Sequence, residues 1–301
     1  MNVKKLFIIG LFLTLLSACA SVTPSTNQLA ADPLAAETVV PTSRPPTDAP
    51  TPMTPPKVRP KSVTLNVFAA ASLTAAFRDI GKTFEAANPG VTVVNNFAGS
   101  QQLAQQINQG APADVFASAN QAQMAVVISG GEVTSGTQQI FATNLLTIIY
   151  PKDNPAKLSK LQDLANPGLK LVLEDSTVPA GAYALTFLEK ASKEPGFGLD
   201  FKAKVLNNVV SYENDVKVVL TKVALGEGDA GIVYTTDVAA ADPSKVSQII
   251  IPDPLNVVAS YPIAPVNNSL NLDLARVYIA YVLSTDGQNI LAKYGFIPVK
   301  K

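Results

Sequence analysis

An α/β fold in two lobes, each with a central, mostly parallel sheet, is what residues 62–301 predict. Three observations carry this. Short β-branched runs alternate with segments of helical spacing along the whole stretch. The chain is 47% hydrophobic and only 15% charged, enough apolar material for a large core. The stretch is also long for a single doubly wound domain, and two lobes with a cleft between them suit it better.

The elements can be taken in chain order. Val63–Phe68 alternates as a strand and ends in the small residues Ala69–Ala71. Leu73–Ala87 has helical spacing, with Leu73, Ala76, Phe77, Ile80 and Phe84 on one face, and Asn88-Pro89-Gly90 stops it. A strand at Val91–Val94, a short helix at Gln101–Gln109, a strand at Asp114–Ala117 and a helix at Gln121–Ser129 come next. Strands are then expected at Asn144–Tyr150 and Leu169–Leu173, with a helix over about 180–192. Val209–Tyr212 leads into a helix at Asp215–Leu225. Gly231–Tyr234, Gln248–Ile251 and Val257–Tyr261 read as strands, and one long helix is expected over about 271–294.

Residues 1–61 read differently. Lys4 and Lys5 precede an apolar run, Leu6–Leu16. The run is too short for a bilayer, which takes about 20 residues, and fits a signal peptide over 1–18. Leu16-Ser17-Ala18-Cys19 resembles a bacterial lipobox, and Cys19 is the only cysteine in the chain. Cys19 is therefore the expected lipidation site. From 19 to 61 the chain has no aromatic residue, and prolines recur from Pro24 to Pro60. Such a stretch cannot bury enough apolar surface to offset its ordering entropy. It is expected as a lipid-anchored, disordered tether. The lobes are expected at 62–143 with 258–301, and at 144–257.

Composition excludes several functions. Lys+Arg and Asp+Glu stand at 23 each, so no basic excess points to nucleic acid. There is no histidine, which removes the commonest general base and transition-metal ligand, and with them a Ser-His triad. One cysteine builds neither an internal disulfide nor a Cys-rich zinc site. No direct cation site is expected. No Gly-x-Ser-x-Gly elbow is present, so a Ser-Lys hydrolase lacks its usual frame.

Ligands of α/β sheets collect at the carboxyl ends of strands, where helix N-termini offer bare N–H groups and a positive dipole end. Five places of this kind stand out. Ser72, in Ala69-Ala70-Ala71-Ser72-Leu73, reads either as a plain N-cap or as a ligand contact. Ser100, in Phe97-Ala98-Gly99-Ser100-Gln101, has the same two readings. Val178-Pro179-Ala180-Gly181 opens a helix on Pro and is either a common turn or a run of exposed amides. In Glu213-Asn214-Asp215-Val216, Asp215 is most simply a cap, and the Val216 N–H is the more useful group for an anion. Tyr234 ends a buried strand with a neutral hydroxyl donor, or simply places that hydroxyl in water. None of these corners carries Arg or Lys. A site made only of neutral hydroxyls and amides suits an oxyanion that is fully deprotonated at neutral pH. A surface scaffold would not need helix N-termini converging on small residues.

At these residues the chain resembles the periplasmic molybdate/tungstate-binding proteins of ABC importers. The similarity runs in order through Val67–Leu73, Phe97–Ser100, Gly110–Phe116, Val178–Ala184, Glu213–Val216 and Gly231–Tyr234. It implies a type II periplasmic-binding fold, with two lobes joined by two crossing strands. It implies an oxyanion site of Ser72, Ser100, Ala180, Val216 and Tyr234. It also implies a non-enzymatic, monomeric receptor with molybdate or tungstate as ligand, no cofactor, and an ABC transporter permease as partner. Sulfate, or tetrahedral dianions in general, is the alternative ligand. Together with the leader, the similarity places the protein outside the cytoplasm, held to the membrane only by its N-terminal lipid. Two positions depart from the family pattern. Gln101 replaces a small residue, and Asn214 replaces Glu.

Overall fold

A computed structural model describes residues 62–299. Cys19, the signal peptide and the tether lie outside the described residues.

The chain opens with β1 (Val63–Ala70), a 3-10 turn (Ala71–Leu73) and α1 (Thr74–Ala87). The apolar face expected of α1 is the one that packs: Ala76, Phe77, Ile80 and Phe84 are all buried. β2 (Val91–Ala98), α2 (Ser100–Asn108), β3 (Val115–Ala117) and α3 (Gln121–Ser129) complete the first βα run. β4 (Gln139–Asn144) and β5 (Leu146–Pro151) follow. Then come β6 (Leu171–Glu174), α4 (Pro179–Lys193), α5 (Phe201–Asn207), β7 (Val209–Glu213) and α6 (Val216–Ala224). β8 (Ala230–Tyr234), α7 (Thr235–Ala239), β9 (Val246–Ile250) and β10 (Ala259–Pro265) precede the C-terminal α8 (Leu272–Val282), α9 (Thr285–Lys293) and β11 (Ile297–Pro298).

The strands form two sheets, ordered β11-β4-β10-β3-β1-β2 and β7-β6-β8-β5-β9. In each, three neighbouring strands run parallel: β2, β1 and β3 in the first, and β7, β6 and β8 in the second. Antiparallel strands complete both sheets. The chain passes between the sheets twice, from β4 to β5 and from β9 to β10. This is the two-lobed type II architecture.

Two expectations need correction. The single strand expected at 144–150 is the junction of β4 and β5, interrupted at Leu145, where the chain leaves one sheet for the other. The single long C-terminal helix is α8 and α9, divided at Leu283 and Ser284. The Ser284 hydroxyl accepts the Gly287 N–H at 3.3 Å and so caps a fresh helix start.

The parallel topology sets up the site. Strands β1, β2, β6, β7 and β8 end at one edge of their sheets, and each leads through no more than four residues into a helix or helical turn. The corners are tight because their residues are small. A side chain at Gly99 would run into the Asn214 carbonyl, and one at Gly181 into the Asp175 carbonyl.

Candidate functional site

Four of the five nominated positions meet in one small cavity. Ser72, Ser100, Val216 and Tyr234 line it, together with Gly99, Pro179, Glu174 and Asp215. Ser72 and Ser100 come from the first sheet's corners, and Val216 and Tyr234 from the second's. Its volume is about 10 Å³, room for roughly one water.

The two serines are not caps. Ser72 lies within the 3-10 turn rather than before a helix, and Ser100 is the first residue of α2. Neither helix start has a side-chain cap. The Ser100 hydroxyl oxygen instead accepts the Ala119 N–H at 3.0 Å. That leaves its proton to donate. Ser72 is set by a relay. The Asn144 amide donates to Tyr261 Oη at 3.4 Å, and Tyr261 Oη lies 3.0 Å from Ser72 Oγ. Either hydroxyl can donate in this contact; when the Tyr261 phenol donates, the serine proton is free for an anion. Asn144 is itself fixed, through donation to Thr236 Oγ1 at 2.8 Å and acceptance from the Leu145 N–H at 2.9 Å. Tyr261 and Asn144 were not visible as site residues in the sequence. Their signal is positional only, since both flank the passages between the sheets.

The opposite wall is built by two helix starts and a strand end. At α6, Asp215 accepts the N–H groups of Lys217 at 2.8 Å and Val218 at 3.2 Å. Its carboxylate serves the second and third amides of the helix. The first, on Val216, is left for a ligand, as an N-terminal amide has no intrahelical acceptor. Tyr234 ends β8 at 1% exposure, and its hydroxyl has no hydrogen-bond partner among the described residues. A buried hydroxyl without a partner costs about 1–3 kcal/mol, so such groups mark places where something binds. Burial holds the Tyr234 phenol well above its ordinary pKa, so it stays a donor.

Ala180 stands apart. Its neighbour Pro179 faces the cavity, but the Ala180 N–H donates to Glu174 Oε2 at 2.7 Å, and the Gly181 N–H to the same oxygen at 3.1 Å. Glu174 is therefore a site residue that sequence reasoning missed. Its signal was available: it is an acidic residue at the carboxyl end of a parallel strand that feeds a helix. The expectation of a wall made only of neutral hydroxyls and amides is corrected on this point. No Lys or Arg lines the cavity. Lys217, next to Val216 on α6, is paired with the buried Asp237 at 2.8 Å. Among the described residues, no group of His, Cys, Asp and Glu could hold a metal ion. No described helix is long and apolar enough to cross a membrane.

Residues 65–297 match the family described as bacterial extracellular solute-binding protein. The chain belongs to that family. The solute-binding family consists of receptors for ABC transporters, not enzymes, which removes the hydrolase reading. Among its similar relatives is the molybdate-binding protein ModA of Mycobacterium tuberculosis. It is 43% identical over 230 residues, covering 76% of this chain and 83% of the relative. ModA of Escherichia coli is 33% identical over 238 residues, covering 77% and 88%. A solved structure, the substrate binding domain of a putative molybdenum ABC transporter from Clostridium difficile, superposes with a TM-score of 0.59 at 31% identity. It covers 79% of this chain and all of that one.

Proposed function

We propose that this solute-binding protein captures molybdate, and tungstate with it, for delivery to an ABC transporter permease. The observation that carries this is Tyr234. It is a buried hydroxyl without a partner, facing a cavity whose other walls present the Ser72 and Ser100 hydroxyls and the first amide of α6. Each donor is neutral, and all but the Tyr234 hydroxyl are already held by a contact or by a helix end. A dianion replaces water there with preorganised dipoles. Hydrogen bonds to a charged group contribute about 1.5–3 kcal/mol each. A handful of them suits the roughly −8 to −12 kcal/mol of a micromolar to nanomolar receptor. The ModA relatives point to molybdate as the ion.

The two sheets act as jaws, with residues 62–143 and 258–301 as one lobe and 144–257 as the other. The space of about 10 Å³ between them is smaller than a four-oxygen ion needs. Entry therefore requires the lobes to part, and the ion then stabilises the form that touches it from both sides. Closure reports occupancy to the permease. Cys19 carries the lipid that keeps the receptor, as a monomer, at the outer face of the membrane. Mass spectrometry of the mature N-terminus tests this: diacylglycerol on Cys19 supports the anchor, and an unmodified or differently cut terminus overturns it.

The proposed ligand is tested by isothermal titration of the metal-oxyanion-free protein with molybdate, tungstate, sulfate and phosphate in turn. Tight one-to-one binding of the first two, with sulfate silent, is expected. Equal binding of sulfate makes the site a general dianion receptor. No heat from any of the four overturns the oxyanion reading.

A further inference from the structure

Two carboxylates line the cavity, and each fills a helix N-terminus there. Asp215, at α6, is half-buried. Glu174, at α4, is the deeper of the two. It ends β6, lies 4% exposed, and directs Oε2 onto the Ala180 and Gly181 amides. No Lys or Arg pairs with it among the described residues. Both amides go to Oε2, so Oε1 has no protein partner among the described residues. Across the same cavity stands the unpartnered Tyr234 hydroxyl.

Resting on the oxyanion reading above, we propose that Glu174 is a specificity-determining residue that binds the ion in its carboxylic acid form. The acid donates the Oε1 proton to an oxygen of the dianion, while Oε2 goes on accepting from α4. In the ionised form the same side chain places a negative charge against the ion and excludes it. Capture by protein that holds Glu174 ionised thus takes up one proton, which comes from solvent to Oε1. The ion keeps both of its charges. An oxyanion that is fully deprotonated fits this arrangement, because it offers only acceptors to the donors around it.

The surroundings favour the acid. Burial, opposed only in part by the two amides, raises Glu174 from an ordinary value near 4.5 to about 8. Asp237 and Asp215 raise it further by repulsion. Asp237 is buried at the start of α7 and paired with Lys217, and Asp215 caps α6. Glu213, beside Glu174 in the sheet, is held by Lys222 at 2.6 Å. Tyr183 on α4, Tyr234 on β8 and Tyr261 on β10 also surround it. Burial raises all three phenols above their ordinary values, so they stay neutral through pH 9.

The test is calorimetric titration of the wild-type protein and Glu174→Gln with sodium molybdate, from about pH 6 to pH 9.5, in two buffers of different ionisation heat. Glutamine keeps an oxygen for the two amides and a donor for the ion. For wild type, Kd is expected to hold steady to about pH 7 and then weaken toward tenfold per pH unit above pH 8. Proton uptake should approach one per ion at the upper end. For Glu174→Gln the profile should be flat, without proton uptake, leaving the variant about tenfold tighter than wild type by pH 9. A flat wild-type profile overturns the proposal while leaving the oxyanion site intact. So does the same slope in both proteins, which moves the proton to Asp237. If Glu174→Gln does not fold, Asp237→Asn takes its place: a slope and proton uptake kept in that variant leave the proton on Glu174, and their loss overturns the proposal. Absence of binding in either protein at every pH overturns the oxyanion reading, and this inference with it.

Discussion

Tyr234 separates a binding role from a structural one. Tyr234→Phe removes a buried hydroxyl that bonds to nothing among the described residues. The ligand-free protein should therefore melt at the same temperature as wild type or slightly above it. Molybdate binding should weaken about ten- to hundredfold, the value of one hydrogen bond to an ion. Thermal unfolding with and without molybdate measures both; equal loss in the two would mean that the hydroxyl supports the fold instead. Glu174 leaves a mark on stability as well. Its folded-state pKa is raised, so its contribution is fully present below its ordinary value near 4.5 and is lost as pH rises through about 8. Urea midpoints of the ligand-free protein should fall across that window, and Glu174→Gln should flatten the fall. At this scale the sequence was only partly legible. Ser72, Ser100, Val216 and Tyr234 stood as candidates at strand ends, each with a plain structural reading beside it. Glu174 did not, because a carboxylate in an anion site makes sense only once its two amide partners and its burial are known. The relay behind Ser72 was also hidden, since Asn144 and Tyr261 are far apart in the chain and meet only where it passes between the sheets.

The elements of the site are helix ends, and what distinguishes them is which amide each leaves free. At α6 the Asp215 cap takes the second and third amides and spares Val216. At α4 the first residue is Pro179, which has no amide, and Glu174 takes the next two. These differences follow from side-chain placement and not from the helix pattern, which is why sequence spacing ranked the corners but could not tell them apart. Two corners also meet across the cleft. Gln101 on α2 donates to the Asn214 carbonyl at 2.9 Å, and Gln123 on α3 donates to the Thr177 carbonyl at 3.0 Å. Gln101 and Asn214 are the two positions that depart from the family pattern, and the structure joins them. They form a bridge between lobes that does not depend on the ion. One neutral hydrogen bond contributes about 0.5–1.5 kcal/mol. Gln101→Ala is accordingly expected to raise the molybdate dissociation rate about two- to tenfold with little change in association. Stopped-flow displacement by tungstate measures this; an unchanged rate would show that the bridge does not hold the closed form.

At the scale of the whole molecule, the periodicity of residues 62–299 foretold most of the architecture. The helix faces and the parallel strands came through because each buried stripe repeats within its own element, as with Ala76, Phe77, Ile80 and Phe84 on α1. What the pattern blurred were the joints. Apolar runs continue through Leu145 and through Leu283, although the chain changes sheet at one and restarts a helix at the other. The first joint is set by a tertiary contact, Asn144 with Thr236, and the second by a local one, the Ser284 cap, which the apolar run up to Leu283 masks. The two sheets together make one prediction that neither makes alone: a single oxyanion held from both sides. Anomalous diffraction from crystals grown with molybdate locates the metal without ambiguity. One molybdenum peak is expected in the cavity, with oxygens about 3 Å or less from the Ser72 and Ser100 hydroxyls, the Val216 amide and Tyr234 Oη. A peak bound to one lobe only, or anywhere else on the protein, would contradict the two-sided site.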